Sequence, residues 1–176
     1  MNMETFDITK APLEIERRFL IEYPDVEALR QMPDYRVKHI SQTYQKRDGD
    51  FVGGRIRKIV EGDRTSYVYT YKERLSDMTR REYEKEISYK EYSELLPLKK
   101  KHTITIEKDR HIFTHAGLVY ELDVYDFWDD QASLEAEVES EDVPIPIPPC
   151  VTLIKEITDD RRYNNSHLAM NRGVIE

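Results

Sequence analysis

The sequence predicts an α+β chain built on one antiparallel β-barrel, with charged residues inside it and short helices outside, the last of them at the C-terminus. Three observations carry that prediction. Apolar and polar residues alternate with a period of two through eight separate stretches. Most of these stretches are joined by short turn text such as KRDGD, EGD, THAG and FWDDQ. One face of the stretches is apolar, whereas the other carries dense charge of both signs.

Residues 1–12 show no periodic pattern and are expected to form a loose leader, followed by a single domain over 13–176. The first strand is LEIERRFLIE, residues 13–22, in which Ile15 faces away from Glu14, Glu16 and Arg18. Asp25 can then cap a short helix, VEALRQM, that Pro33 ends. Further alternating runs follow at 36–45, 54–60, 65–72, 81–88, 103–114, 118–127 and 133–139. Residues 90–96, KEYSELL before Pro97, break the rhythm and read as a second short helix. The PIPIPP text of 144–149 can be neither helix nor central strand and is expected to be an extended connector. Beyond it, TDDRRYNNSHLAMNR offers Thr158 or Asp159 as a cap and Tyr163, His167 and Met170 at helical spacing, which predicts a terminal helix.

Composition narrows the functional classes. The chain has 176 residues, enough for one core without disulfide or metal staples. Its formal net charge of −8 argues against general binding to nucleic acid or an anionic membrane, so any anion site must be local. The single cysteine, Cys150, cannot form an internal disulfide, and no signal-like or membrane-spanning apolar run is present, which leads us to expect a reduced, cytoplasmic setting.

The charged faces are the informative feature. Glu14, Glu16 and Arg18 share a side of their strand, as do Arg55 and Arg57, Glu82 and Glu84, Lys108 and Arg110, Glu121 and Asp123, and Glu137 and Glu139. A solvated sheet face explains any one such pair equally well. The set is harder to explain that way. Two carboxylates roughly 7 Å apart repel by about 0.6 kcal/mol in water but about 2.4 kcal/mol at an effective dielectric near 20. Repeated carboxylate pairs in an enclosed site therefore call for cations, and oxygen-only donors suit Mg²⁺ or Mn²⁺. The interleaved arginines and lysines suit phosphate oxygens, arginine through its fork and lysine as a point charge. Closing the sheet would turn this face inward and remove the open strand edges.

Seven segments, in order from Leu13 to about Ala169, resemble the CYTH domain, also called the triphosphate tunnel metalloenzymes, a family that includes inorganic triphosphatases, thiamine triphosphatases and one class of adenylate cyclase. Glu14-Ile15-Glu16-Arg17-Arg18 is similar to the family's Glu-x-Glu-x-Lys signature, with Arg18 where lysine is usual. Arg55 and Arg57 of the RIR triplet resemble its paired arginines, and Lys72 its following strand lysine. TRREYEKEI carries a second Glu-x-Glu at Glu82 and Glu84, and IEKDRHI a Lys-x-Arg at Lys108 and Arg110. YELDVY carries an acidic residue at Asp123, AEVE a third Glu-x-Glu at Glu137 and Glu139, and KEITDDRRYNN resembles the closing segment.

The resemblance implies that Arg18, Arg55, Arg57, Lys72 and Arg110 hold a polyphosphate, and that Glu14, Glu16, Asp123, Glu137 and Glu139 hold one or two divalent ions. Glu82 and Glu84 would place the attacking water, with Lys108 a candidate base. Hydrolysis of inorganic tripolyphosphate is the leading expectation for the bound small molecule. A class IV-type adenylate cyclase or a thiamine or nucleoside triphosphatase is the alternative within the family, and non-catalytic binding of polyphosphate or nucleotide the alternative outside it. The other candidates are bland. His102, His111 and His115 fit no usual zinc spacing, Cys150 has no activating neighbour in view, and Lys99, Lys100 and Lys101 read as a solvated loop.

Overall fold

The computed structural model describes residues 6–176. In chain order its strands are β1 (Leu13–Glu22), β2 (Arg36–Gln45), β3 (Gly54–Glu61), β4 (Arg64–Arg74), β5 (Thr79–Ile87), β6 (Ile106–His115), β7 (Leu118–Tyr125), β8 (Gln131–Glu137) and β9 (Leu153–Glu156). The α-helices are α1 (Val26–Arg30), α2 (Tyr89–Leu95) and α3 (Asn165–Asn171). Hydrogen-bonded neighbours run β5-β4-β3-β2-β6-β7-β8-β1, and β1 returns to β5 through Leu13 opposite Arg81 and Ile15 opposite Thr79. Eight antiparallel strands thus close into a barrel. β9 adds to the same edge of β1 higher up, with Phe19 opposite Glu156, where β5 has already left it.

Because side chains alternate across each strand, closure sorts them into lumen and exterior. The apolar core is largely outside. Phe19, Ile21, Leu122, Leu134 and Ala136 pack under Leu29 of α1 and against Ile145 and Ile147 of the proline-rich connector. On another flank Ile56, Tyr69 and Ile87 pack under Tyr92 and Leu95 of α2. That helix forms because Ser88 and Glu91 make a reciprocal capping box. A third cluster joins Leu20, Ile106 and Tyr125 to Trp128, Tyr163 and Leu168, so the C-terminal segment packs onto the barrel through them.

Several boundaries differ from the sequence reading. β9 falls between the expected connector and terminal helix, in text for which the alternation predicts no strand; all four of its residues are exposed. The terminal helix starts at Asn165 instead of near Thr158, because Asp160 caps a separate 3-10 turn at Arg161–Tyr163 and Asn164 is extended. β8 stops at Glu137, two residues early. Residues 1–5 of the expected leader lie outside the described residues. Of the rest, Ile8–Lys10 form a 3-10 turn capped by Asp7, and the Phe6 ring stacks on Tyr83 at 4.0 Å. No helix among the described residues is long and apolar enough to cross a membrane.

Candidate active site

Inside the barrel lies a cavity of about 610 Å³ whose walls are charged side chains from the inward strand faces. β3 contributes Arg55 and Arg57, β4 Lys72, β5 Arg80, Glu82 and Glu84, β6 Arg110, and β1 Glu14, Glu16 and Arg18. Local backbone geometry seats the arginine pair. Gly54, at φ +120°, lets β3 approach β4 so closely that a Cβ there would lie 2.7 Å from the Thr70 carbonyl oxygen.

The charges are paired across strands. The Lys72 ammonium lies 2.6 Å from Glu14 and 2.5 Å from Glu82. Arg57 donates to Glu84 at 2.6 Å and Arg80 to Glu16 at 2.5 Å. Arg55 is the least satisfied cation of the group: its nearest carboxylate oxygen, on Glu82, is 4.0 Å away, and its buried Nε has no partner. Burial, joined by neighbouring Arg55, lowers the Arg57 guanidinium to about 10.

One ammonium between two carboxylates leaves a deficit of positive charge. Burial raises the Glu14 carboxyl to about 7 against the pull of Lys72. Burial also acts to raise Glu82, but Lys72 and Arg55 outweigh it and hold that carboxyl at about 2. The two carboxyls titrate as a pair, in which the last proton is held far more tightly than by a free glutamate. Across the β1–β8 ladder Glu16 stands opposite Glu137, whose carboxyl is pushed up by burial and by Glu121, Glu16 and Glu82. Such a wall of oxygen donors, with more negative charge than the adjacent ammonium balances, fits a hard divalent ion. Among the described residues no three His, Cys, Asp or Glu side chains form a ready-made cage, so an ion here would take most of its ligands from phosphate and water.

Five predicted residues do not stand as the sequence reading put them. Asp123 is fully buried outside the cavity lining, with Lys108 at 2.6 Å and Arg110 at 2.7 and 2.8 Å bonded to its oxygens, so protein cations already stand where a metal would bind. Lys108 is held by that same contact; burial and adjacent Arg110 lower its ammonium to about 8, yet it does not line the cavity either. Glu139 is exposed beyond the end of β8. Arg18 touches the cavity, but all three of its guanidinium nitrogens already donate to protein: Nε to Glu135 at 2.9 Å, Nη1 to Asn164 at 2.7 Å and Nη2 to the Tyr163 carbonyl at 2.7 Å. Glu137 is exposed at the rim, in a second hollow shared with Glu14, Glu82 and Glu84.

The structure also supplies residues that the sequence did not single out for the site. Glu135, opposite Arg18, lines the lumen where Glu137 and Glu139 were expected, and Glu121, noted only for sharing a face with Asp123, lies beside Arg110. SLEAEVE places three glutamates on one strand face, so spacing alone could not choose between the first pair and the last; the end of β8 decides it. Arg80 was hidden in the RR doublet, where only strand parity says which arginine points inward.

No family model and no curated protein matches this chain. Solved structures do. The inorganic triphosphatase NE1496 is 28% identical with a TM-score of 0.57, over 89% of this chain and 94% of that one. A second crystal structure of NE1496 gives 29% and 0.55 over 89% and 97%. The protein PH1819 of Pyrococcus horikoshii OT3 is 25% identical with a TM-score of 0.54, over 73% and 80%. Closed eight-stranded barrel, inward charge and these likenesses together define the CYTH, or triphosphate tunnel metalloenzyme, fold.

Proposed function

We propose that the chain hydrolyses a triphosphate inside the barrel, inorganic tripolyphosphate foremost, with Mg²⁺ or Mn²⁺ bound beside it. The supporting observation is that Arg55, Arg57, Lys72 and Arg110 converge on the same enclosed space as Glu14, Glu16 and Glu82. A polyphosphate chain supplies the anion that Arg55 lacks, and a divalent ion the cation that the Glu14 and Glu82 pair lacks. The likeness to an inorganic triphosphatase agrees with this reading.

Arg55 and Arg57 grip phosphate oxygens through their forks, while Lys72 and Arg110 balance charge along the chain. Glu14 and Glu16 would hold the ion, whose contribution is to neutralise the phosphate oxygens. Glu84, half-exposed and steadied by Arg57 and Thr70, is placed to orient a water beside a terminal phosphate. Positioning and charge neutralisation supply most of the acceleration in phosphoryl transfer, which this arrangement suits.

Incubating the protein with tripolyphosphate, ATP or thiamine triphosphate, each with Mg²⁺ or Mn²⁺, and following phosphate, pyrophosphate and cyclic nucleotide, tests the proposal. Phosphate release from tripolyphosphate that depends on the ion, and is lost in Glu14→Gln, is the expected result. Undiminished release by that variant rejects the assignment.

A further inference from the structure

Two loops far apart in sequence carry runs of positive charge outside the lumen, and the fold sets them side by side. Lys46 and Arg47 open the β2–β3 connection, while Lys99, Lys100 and Lys101 lie between α2 and β6. Backbone bonds fasten the loops together: Lys46 N–H donates to the Leu98 carbonyl at 2.9 Å, Lys100 N–H to the Tyr44 carbonyl at 2.8 Å, and Gln45 bridges to Lys99. Lys100 reaches toward α3, its ammonium 4.0 Å from the Met170 sulfur.

This basic rim is continuous with the cavity, since Tyr44, Gln45, Lys100 and Thr103 line it. None of the five rim cations joins an ion pair among the described residues, whereas Arg55, Arg57, Lys72, Arg80 and Arg110 inside the barrel all do. Asp48 and Asp50 in the same loop offset only part of the charge. In a protein of net charge −8, unpaired cations gathered at the edge of an anion-binding cavity create a local attractive field.

We propose that the rim is a secondary binding surface for the part of an inorganic polyphosphate chain that extends beyond the phosphates held in the lumen. It rests on the reading of the lumen as a triphosphate site. The rim cations are lysines in four cases out of five, point charges suited to repeated phosphates. Lys46 to Asp50 and Lys99 to Lys101 include no aromatic side chain, and of the flanking rings Tyr44 is tied to Gln42 through its hydroxyl and Phe51 packs against Tyr69, which favours an inorganic chain over a nucleic acid. Joining lumen and rim contacts in one ligand makes the second contact intramolecular and raises affinity without altering the first.

Binding is measured with tripolyphosphate, a polyphosphate of several tens of phosphates and a single-stranded RNA, each at two salt concentrations. The wild-type chain and two variants, Lys99→Ala with Lys101→Ala and Lys46→Ala with Arg47→Ala, are compared; they alter separate loops and leave Lys100 in place. The wild type should bind the long chain at least about tenfold tighter than tripolyphosphate and with a steeper salt dependence. Either variant should lose most of that advantage while binding tripolyphosphate within about twofold of wild type. Equal affinity for short and long chains, or an advantage that survives in both variants, overturns the rim. RNA binding tighter than polyphosphate, lost in the same variants, overturns the choice of an inorganic chain. Failure to bind tripolyphosphate at all brings down the lumen reading first, and this one with it.

Discussion

At the scale of single residues, what matters is whether a buried charge has spare capacity. Arg55 has the most of it; Asp123 and Arg18 are largely taken up by protein partners. Asp123 anchors two buried cations, so Asp123→Asn should cost about 3 kcal/mol or more, seen as a lower urea midpoint, because it strands both. Lys108→Met should cost far less, since burial already disfavours this ammonium and Arg110 alone keeps Asp123 paired. Equal losses in the two variants would contradict this account. The pH dependence has a definite sign. Burial acts to raise the Asp123 carboxyl, but Arg110 and Lys108 outweigh it and hold it well below the usual carboxylate range. Its contribution to stability is therefore present above the unfolded value and is lost as pH falls below that value toward the folded one. Wild-type stability should drop between pH 5 and pH 3 more steeply than that of Asp123→Asn, as urea titrations at each pH would show.

At the scale of elements, most of the barrel was legible in the sequence, and the exceptions share a cause. The eight barrel strands have one face in the lumen and one under apolar cover, so their composition alternates. β9 has no covered face and left no such mark. Glu137 and Glu139 could not be told from Glu135 and Glu137, because strand parity is blind to where a strand ends. Arg18 has the right charge on the right face, yet only the folded C-terminal segment shows that Asn164 and Tyr163 take up its fork. Arg18→Lys can satisfy fewer of these acceptors, so it should destabilise the protein by about 2 kcal/mol and speed amide exchange across 158–171. Unchanged exchange there would remove Arg18 as the tie. Gly54→Ala should cost about 2 kcal/mol or more, since φ +120° and the Thr70 carbonyl leave no room for a Cβ.

At the scale of the whole molecule, the arrangement inverts the usual order of a small domain. Apolar packing is mostly outside the barrel, held by α1, α2 and the proline-rich connector, while the centre is given to paired charges. Closure makes that tolerable, because each strand keeps both hydrogen-bonding neighbours and most lumen charges, Arg55 apart, find close partners on other strands. An interior of this kind contributes little net stability relative to an apolar one. Its consequence is a preorganised space in which anion and cation ligands both meet uncompensated charge. The most direct test is a crystal structure of the protein with tripolyphosphate and Mn²⁺. Phosphorus atoms should lie between Arg55, Arg57, Lys72 and Arg110, with anomalous manganese density against Glu14 and Glu16. Phosphate and manganese confined to the outer surface, with the lumen cations still bonded only to carboxylates, would contradict the account.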